Sequence, residues 1–398
     1  MSNVTQLKHL EHLEDEMLNY GVEGCMAAVS FLKELRKMLG HQESAGFMQT
    51  KWDGAPSVVC GTDPLTGMFF VGTKSVFNKT EPKICYGPED VDMYYSGDLA
   101  EKLKFSLLYF AELGIEGVVQ GDLLFTQSTL NKETVNGERL YTFRPNTITY
   151  GIPVDHPIGV KAGKSKIGVV FHTHYIGVDI PNMQARAGAK VGDSQNVLVV
   201  KNDTPMNLVG FSRAEMSKFD NYITKIERMC QICGDFLDEL VGATGTTGDA
   251  KFHISSFLKP YFNDQIRNAR SIGNIDEAVY DLANFYHAKT SKELAKIKTP
   301  ANLTKKRNLV YESENYLVNN VYKFKAMLTL YKELQAVKQM VIDKLDHLEE
   351  FRTFVQTEKG YKVTTPEGYV LHKDGSMIKF VNRLEFAYNN FTLQKQWR

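Results

Sequence analysis

The feature that most constrains the fold is a long stretch of helical periodicity between two strand-rich stretches. From about residue 212 to residue 358, apolar residues recur at helical spacing and strand patterns disappear. The clearest run extends from Val321 to Leu348. Strand-like alternation precedes this stretch and returns at 361–384. The sequence therefore predicts a mixed α/β domain interrupted by a helical insertion of roughly 145 residues, a usual size for a domain.

The remaining patterns divide the chain into four segments. Residues 1–45 form an N-terminal helical segment, 46–211 the first part of the α/β domain, 212–358 the helical insertion and 359–398 the last strands. Within the first part, we expect a hairpin over 57–72, a helix over 97–113 and a buried strand over 117–125. A second hairpin turns at Asp374-Gly375. The predicted class is α+β with mostly antiparallel sheets.

Composition excludes several classes of protein. Lys plus Arg and Asp plus Glu both number 47 in 398 residues, so a uniformly basic nucleic-acid coat protein is excluded. No apolar run reaches the roughly 20 residues of a membrane span. Five cysteines and an N-terminus without an apolar signal region favour a reducing, cytoplasmic location. Cys230 and Cys233 are interpreted as thiols packed in a helix rather than as a metal knuckle.

The first motif with chemical meaning is Lys51-Trp52-Asp53-Gly54, which lies where the helical pattern ends and strand patterns begin. A deprotonated lysine amine can attack the α-phosphorus of a nucleotide, and burial or cationic neighbours lower the lysine pKa. Asp53 and Gly54 would form the turn that presents the lysine. The alternative is an ordinary Asp-Gly loop with a surface lysine.

Two further features supply charge. Lys74 follows a predicted strand and would face phosphates, or would be a solvated lysine. Asp122 lies within an otherwise apolar strand, where a buried carboxylate needs a metal, a ribose hydroxyl or a cation as its partner.

An aromatic strand and a late hairpin complete the set. Phe171 is a candidate for stacking on a base, and His172 and His174 lack the further ligands of a zinc site. Far downstream, Glu367 and Lys379 lie on adjacent predicted strands, which would bring them together at a phosphate or metal site.

In this order, the motifs resemble the covalent nucleotidyltransferase superfamily of ATP-dependent DNA and RNA ligases and mRNA capping enzymes. Lys51, Asp53 and Gly54 match its K-x-D-G motif, and Glu367-Gly368 matches its fourth motif. The resemblance implies a ligase-type adenylation domain in which Lys51 forms a lysyl-AMP phosphoramidate. It implies ATP and Mg²⁺ or Mn²⁺ as cofactors.

The resemblance also implies a role for each further residue. Lys74 and Lys379 would contact phosphates, and Phe171 would stack on the purine. Glu367 and Asp122 would hold the metal, although the family usually has Glu at the position of Asp122. The string Lys-Trp-Asp-Gly-Ala-Pro also resembles uncharacterised phage-encoded proteins, which would place the chain in a host cytoplasm.

The sequence departs from the pattern of this superfamily in two places, and these departures favour some of its members over others. Val381 stands where the fifth motif usually has a second lysine. Only 17 residues follow Val381, too few for an OB-fold domain, which favours phage-type RNA ligases over DNA ligases and capping enzymes. The predicted activity is ATP-dependent sealing of RNA or DNA ends with a 5′-phosphate, RNA being favoured. A degenerate, non-catalytic nucleic-acid-binding or scaffolding protein and an adenylyltransferase with another acceptor remain as alternatives.

The insertion carries a basic segment over residues 287–307, with Glu293 as its acidic residue. It is either a solvated helix face or a track for a phosphate backbone. The candidate contacts are Lys289, Lys292, Lys296, Lys305, Lys306 and Arg307.

Overall fold

The computed structural model describes residues 10–348, 351–358 and 360–387. Its helices are α1 (Glu16–Leu39), α2 (Pro88–Tyr94), α3 (Gly97–Phe110), α4 (Pro157–Ala162), α5 (Arg213–Ala243), α6 (Leu258–Arg267), α7 (Ile275–Leu294), α8 (Pro300–Asn319) and α9 (Val321–Leu345). Its strands are β1 (Phe47–Lys51), β2 (Ser57–Thr62), β3 (Phe69–Gly72), β4 (Val118–Thr126), β5 (Asn131–Val135), β6 (Glu138–Phe143), β7 (Thr149–Pro153), β8 (Ile167–Ile176), β9 (Gln184–Ala187), β10 (Val197–Val200), β11 (Arg352–Thr357), β12 (Gly360–Val363), β13 (Gly368–Lys373) and β14 (Ser376–Phe380).

The strands form three sheets. A three-stranded sheet has the order β1-β13-β14, and a five-stranded sheet has the order β12-β11-β7-β6-β5. A six-stranded sheet has the order β10-β8-β4-β2-β3, with β9 also paired to β8. All pairings are antiparallel except that of β10 with β8. The predicted mixed α and β class with mostly antiparallel sheets is confirmed.

Local sequence signals account for several of these elements. The expected β2–β3 hairpin, the helix α3 and the strand β4 are present. The β13–β14 turn places Asp374 and Gly375 at φ 49° and 76°. Positive φ at both central residues is what a two-residue hairpin turn requires, and it explains the Asp-Gly pair.

Six of the helices, α1 and α5 to α9, pack as one body against one face of the three-stranded sheet. A single apolar core joins α1, α5 to α9 and one face of that sheet, to which Met48, Tyr369, Leu371 and Ile378 contribute. Residues 16–39 therefore share their core with the helices of the 212–348 region. The other face of the three-stranded sheet carries the polar side chains of Gln49, Lys51, His372 and Lys379 together with the apolar ones of Phe47 and Val370.

The end of the helical region differs from the sequence prediction of residue 358. The last long helix ends at Leu345, and strand β11 already begins at Arg352. β11 lies between β7 and β12 in the five-stranded sheet. Pairing with β7, about 200 residues earlier in the chain, is a long-range contact that local periodicity does not report.

The interpretation of Cys230 also changes. Cys230 of α5 forms a disulfide with Cys25 of α1, while Cys233 is a buried free thiol. Within the described residues, no helix combines the length and the apolar character that crossing a membrane requires.

Candidate functional site

Lys51 ends strand β1 on the polar face of the three-stranded sheet. It pairs with Gly368 of β13, while Gln49 pairs with Val370. Directly opposite residues of an antiparallel pair share a face, and neighbours along a strand alternate. The side chain of Met48 therefore enters the helical core, whereas that of Lys51 points away from it.

The amine of Lys51 contacts the carboxylate of Glu367, although the two residues are 316 positions apart in the chain. The Lys51 side chain is 30% exposed and that of Glu367 is 10% exposed. The contact follows from the β1–β13 register, because Glu367 directly precedes Gly368. The structure thus brings together the residues that the first and fourth motifs identify.

Opposing influences set the protonation of this pair. Burial lowers the pKa of Lys51, but the charges of Glu367, Asp122 and Asp53 outweigh it, so the pKa is raised overall. Burial raises the pKa of Glu367 to about 7 against the opposing effect of Lys51. Lys51 is therefore an ammonium ion that contacts Glu367.

Asp53 anchors the segment that follows the lysine. Its carboxylate accepts hydrogen bonds from the backbone N–H groups of Thr147 and Ile148, at 2.7 and 2.8 Å, and from Asn146 Nδ2 at 2.8 Å. Burial raises the pKa of Asp53, and these hydrogen bonds oppose that rise. Asp53 thus fixes the loop over 146–148 against the lysine segment.

Gly54 lets the lysine segment approach strand β4. A Cβ atom at this position would lie 2.6 Å from Cβ of Asp122. Any larger residue would therefore push the segment away from Asp122.

Asp122 projects from β4 on the face of the six-stranded sheet that carries His172. The distance from His172 Nε2 to Asp122 Oδ2 is 3.5 Å, and both side chains are about one-quarter exposed. Burial and then the charge of His172 lower the pKa of His372 on β13 to about 4. The polar faces of the two sheets therefore approach each other around Lys51, and we call this region the cleft.

Lys379 lies on the cleft face of β14, directly opposite Val370 of β13. Burial and then the charge of Lys51 lower the pKa of Lys379. Within the described chain, no carboxylate lies within ion-pair distance of the Lys379 amine. His12 forms a β-bridge with Lys379, and its pKa is lowered by burial and by four neighbouring cations.

Lys74 and Phe171 stand apart from this cluster. Lys74 is exposed and begins a 3₁₀ helix, Lys74–Phe77, directly after β3. Phe171 is buried on the face of the six-stranded sheet opposite to Asp122, where its ring meets that of Phe110 of α3 at 5.5 Å. Phe171 therefore packs in the core beneath α3, because strand alternation places its neighbour His172 on the cleft face.

Part of the basic segment of the helical region is paired with acids of the same helical body. Lys296 pairs with Glu293, and Lys305 and Lys306 pair with Asp249. The amine of Lys289 lies over the ring of Phe285, and Lys292 and Arg307 are exposed. Half of the predicted phosphate contacts are thus engaged within the helical body.

The cleft contains residues that sequence reasoning missed. His372 is buried and stacks on Phe47 at 4.5 Å, and its Nε2 has no hydrogen-bond partner in the described part of the chain. Gln49 lies between Phe47 and Lys51 on the same face. The available signal was the two-residue spacing of Gln49 from Lys51 on β1 and the hairpin register that places His372 on the same face as Lys379. Nothing in the local sequence indicated that His12 would meet β14.

The cleft offers two carboxylates, Glu367 and Asp122, to a cation. Across residues 10–348, 351–358 and 360–387, no group of three or more His, Cys, Asp or Glu side chains is arranged to hold a metal ion. Mg²⁺ bound with a nucleotide commonly uses one or two carboxylates together with phosphate oxygens and water. The donor set therefore fits a cation that enters with phosphate.

The chain belongs to the DUF6267 family, a family of unknown function whose model matches residues 3–395. No curated protein and no solved structure matches the chain. The family description assigns no activity.

Proposed function

We propose that the protein is an ATP-dependent polynucleotide ligase, acting on RNA in preference to DNA, with Lys51 as its nucleophile. The observation that carries the proposal is the contact between Lys51 and Glu367, made between two motifs at opposite ends of the chain. Asp122 and Lys379 lie around that contact, so nucleophile, carboxylates and a second cation share one cleft.

The first step requires Lys51 to lose a proton. Phosphates bound with Mg²⁺ would draw the carboxylate of Glu367 away from the lysine, with Asp122 as the second carboxylate. The positive charge of Lys379 then favours the neutral amine. Lys51 Nζ attacks the α-phosphorus, the bond to the β-phosphate oxygen breaks, and pyrophosphate leaves with that electron pair.

The next two steps transfer and release AMP. A 5′-phosphate oxygen of a strand attacks the phosphorus of lysyl-AMP, and the Lys51 nitrogen leaves. A 3′-hydroxyl then attacks the 5′-phosphate and AMP departs. Bound Mg²⁺ supplies charge neutralisation at the phosphates. Lys379 would add positive charge at the same oxygens.

The test is transfer of label from ATP through the protein to a strand. The protein is incubated with ATP labelled at the α-phosphate and with Mg²⁺, then chased with 5′-phosphorylated RNA or DNA. We expect labelled protein first and labelled strand afterwards. Lys51→Ala should abolish both, whereas Lys33→Ala, which removes a surface lysine of α1, should change neither. Equal labelling of Lys51→Ala and wild type would reject the proposal.

A second candidate is a non-catalytic nucleic-acid-binding protein on the same fold. The buried position of Val381, where a second lysine is expected from the resemblance, favours it. This candidate predicts binding of RNA or DNA without any labelling. Label that forms on Lys51 but never moves to a strand would instead indicate a different acceptor.

A further inference from the structure

Three hydrogen-bonded side chains form a row across the cleft face of the six-stranded sheet, and we call them the polar row. Tyr175 of β8 donates its hydroxyl hydrogen to Gln120 Oε1 on β4, and Gln120 Nε2 donates to Ser57 Oγ of β2 at 2.8 Å. Gln120 and Tyr175 are 5% and 7% exposed, whereas Ser57 is half-buried. The polar row therefore starts inside the protein and ends at a residue that is partly open to solvent.

The buried end of the polar row sets the direction of each hydrogen bond in it. Burial raises the pKa of Tyr175 to about 12, so its hydroxyl keeps its proton and donates it to the amide oxygen of Gln120. A reversed amide would leave that hydroxyl hydrogen without an acceptor among apolar neighbours such as Val59 and Val118, which is unfavourable. Ser57 Oγ is therefore an acceptor in the row, and its own hydrogen is directed elsewhere.

Ser57 lies beside Asp122 in the cleft. The two residues are directly opposite each other in the β2–β4 register, so their side chains share a face with Cβ atoms about 4.5–5.5 Å apart. Within the described residues, no hydrogen bond joins the two side chains, and the hydroxyl hydrogen of Ser57 has no acceptor. Asp122 Oδ2 faces His172 at 3.5 Å. The cleft therefore presents a hydrogen-bond donor and a carboxylate side by side.

A hydroxyl group is the ligand group that matches this pair. Through one oxygen atom it accepts a hydrogen bond from Ser57 and donates its own hydrogen to Asp122. An ionised phosphate oxygen only accepts hydrogen bonds, and the charge of Asp122 would repel it, while an ammonium group only donates. The charge of Asp122 also acts on Lys51, so a hydroxyl bound here lies near the nucleophile.

We propose that Ser57 binds a ribose hydroxyl of ATP together with Asp122, and that Gln120 and Tyr175 are positioning residues that keep Ser57 a donor. The inference rests on the proposed ligase function, because ATP is the first substrate of that reaction. The ribose is bonded through its 5′ oxygen to the phosphate that Lys51 attacks, so its hydroxyls stay near Lys51. A carboxylate offers about four acceptor positions, so Asp122 can accept this hydrogen bond and still face a cation.

Nucleotides that lack one hydroxyl test the contact. Binding of AMP, 2′-deoxy-AMP and 3′-deoxy-AMP is measured by calorimetry with Mg²⁺, since AMP has no pyrophosphate to release and cannot label Lys51. The variants are Ser57→Ala and Gln120→Met. Their matched controls are Ser106→Ala on α3, on the opposite side of the sheet, and Gln127→Met at an exposed position directly after β4. The KM for ATP in labelling is measured alongside.

We expect wild type to bind AMP about ten-fold more tightly than one of the two deoxy nucleotides, because that nucleotide loses two hydrogen bonds. Ser57→Ala should weaken binding of AMP about five-fold and leave binding of that deoxy nucleotide unchanged. Gln120→Met should weaken AMP about three-fold with the same selectivity, because the freed Ser57 hydroxyl can turn towards Asp122. Both controls should stay within about two-fold of wild type for all three nucleotides.

Equal losses for all three nucleotides in Ser57→Ala, unchanged binding of AMP in that variant, or no binding of AMP by wild type would overturn the inference. Unchanged binding in Gln120→Met would overturn the positioning role of the polar row. Failure of the proposed function gives a different result. If wild type binds AMP with the expected selectivity but is not labelled by ATP, the ligase proposal fails and the hydroxyl site stands. If Ser57→Ala binds AMP and is labelled as wild type is, the ligase proposal stands and the hydroxyl site fails.

Discussion

Two neighbouring clusters of charged side chains differ in how completely their charges are paired. In the first, Glu14 accepts hydrogen bonds from Lys338 at 2.6 and 2.7 Å, and Asp15 accepts them from Arg383 at 3.0 and 3.2 Å. These four side chains are less than one-tenth exposed. Every charge is matched, so the first cluster joins the N-terminal segment to α9 and to the end of β14.

The second cluster, in the cleft, is incompletely matched. Lys51 contacts Glu367, whereas the ion-pair contact of Asp122 among the described residues is a 3.5 Å one to His172. Burial and then the charge of Lys51 lower the pKa of Lys379, so the second cluster holds two cations that repel each other. A matched cluster resists change, whereas an unmatched one gains from an added anion or cation. We therefore expect a charged ligand to bind in the cleft and not at the Glu14 cluster.

The largest effect on stability is expected in the matched cluster. Lys338→Met leaves Glu14 buried with only a 3.7 Å contact to Arg383. Removing one partner of a buried ion pair commonly costs about 3–5 kcal/mol. Urea unfolding should show this loss, and Glu14→Leu combined with Lys338→Met should recover most of it. A single variant as stable as wild type would mean that the cluster is not a structural anchor.

An intermediate effect on stability is expected from Glu367, because its protonation depends on pH. Its pKa is raised from the ordinary 4.5 to about 7, chiefly by burial. The folded state then binds the proton more tightly than the unfolded state. The contribution of Glu367 to stability is therefore fully present below pH 4.5 and is lost as the pH rises towards 7.

Glu367→Gln cannot titrate, so its free energy of unfolding should rise relative to that of wild type between pH 4.5 and pH 7. The relative gain should be about 1 kcal/mol or more, since one pKa unit corresponds to about 1.4 kcal/mol. Urea unfolding at pH 5 and pH 7.5 measures it. A constant difference between the two proteins across this range would show that Glu367 does not titrate in the cleft.

The smallest effect is expected at Phe171. Because its ring packs on Phe110 beneath α3, Phe171→Leu should cost about 1 kcal/mol of stability. The KM for ATP in labelling of Lys51 should not change. A several-fold rise in that KM without loss of stability would instead support stacking of Phe171 on the purine.

The sequence predicts local elements and the candidate residues better than it predicts their assembly. The Asp374-Gly375 turn and α9 follow from local propensities. The contact of Lys51 with Glu367 depends on the register of β1 with β13, which bridges more than 300 residues. The resemblance assigned both residues to one site, but neither it nor the periodicity predicted their contact.

Other features lay beyond local patterns for similar reasons. The face on which Phe171 lies depends on the strand phase of β8, and a one-residue difference reverses it. The β-bridge of His12 to Lys379 and the disulfide of Cys25 with Cys230 join segments far apart in the chain. The basic residues at 296, 305 and 306 looked free in the sequence because Asp249, the partner of two of them, lies elsewhere.

The most direct test of the central claim is to find the adenylate on the protein. Wild type is incubated with ATP and Mg²⁺, denatured, digested and examined by mass spectrometry at the peptide that contains Lys51. The account predicts an AMP group on Lys51 Nζ, formed with release of pyrophosphate and absent from Lys51→Arg. An unmodified Lys51 in folded wild type that binds ATP, or AMP on another residue, would contradict it.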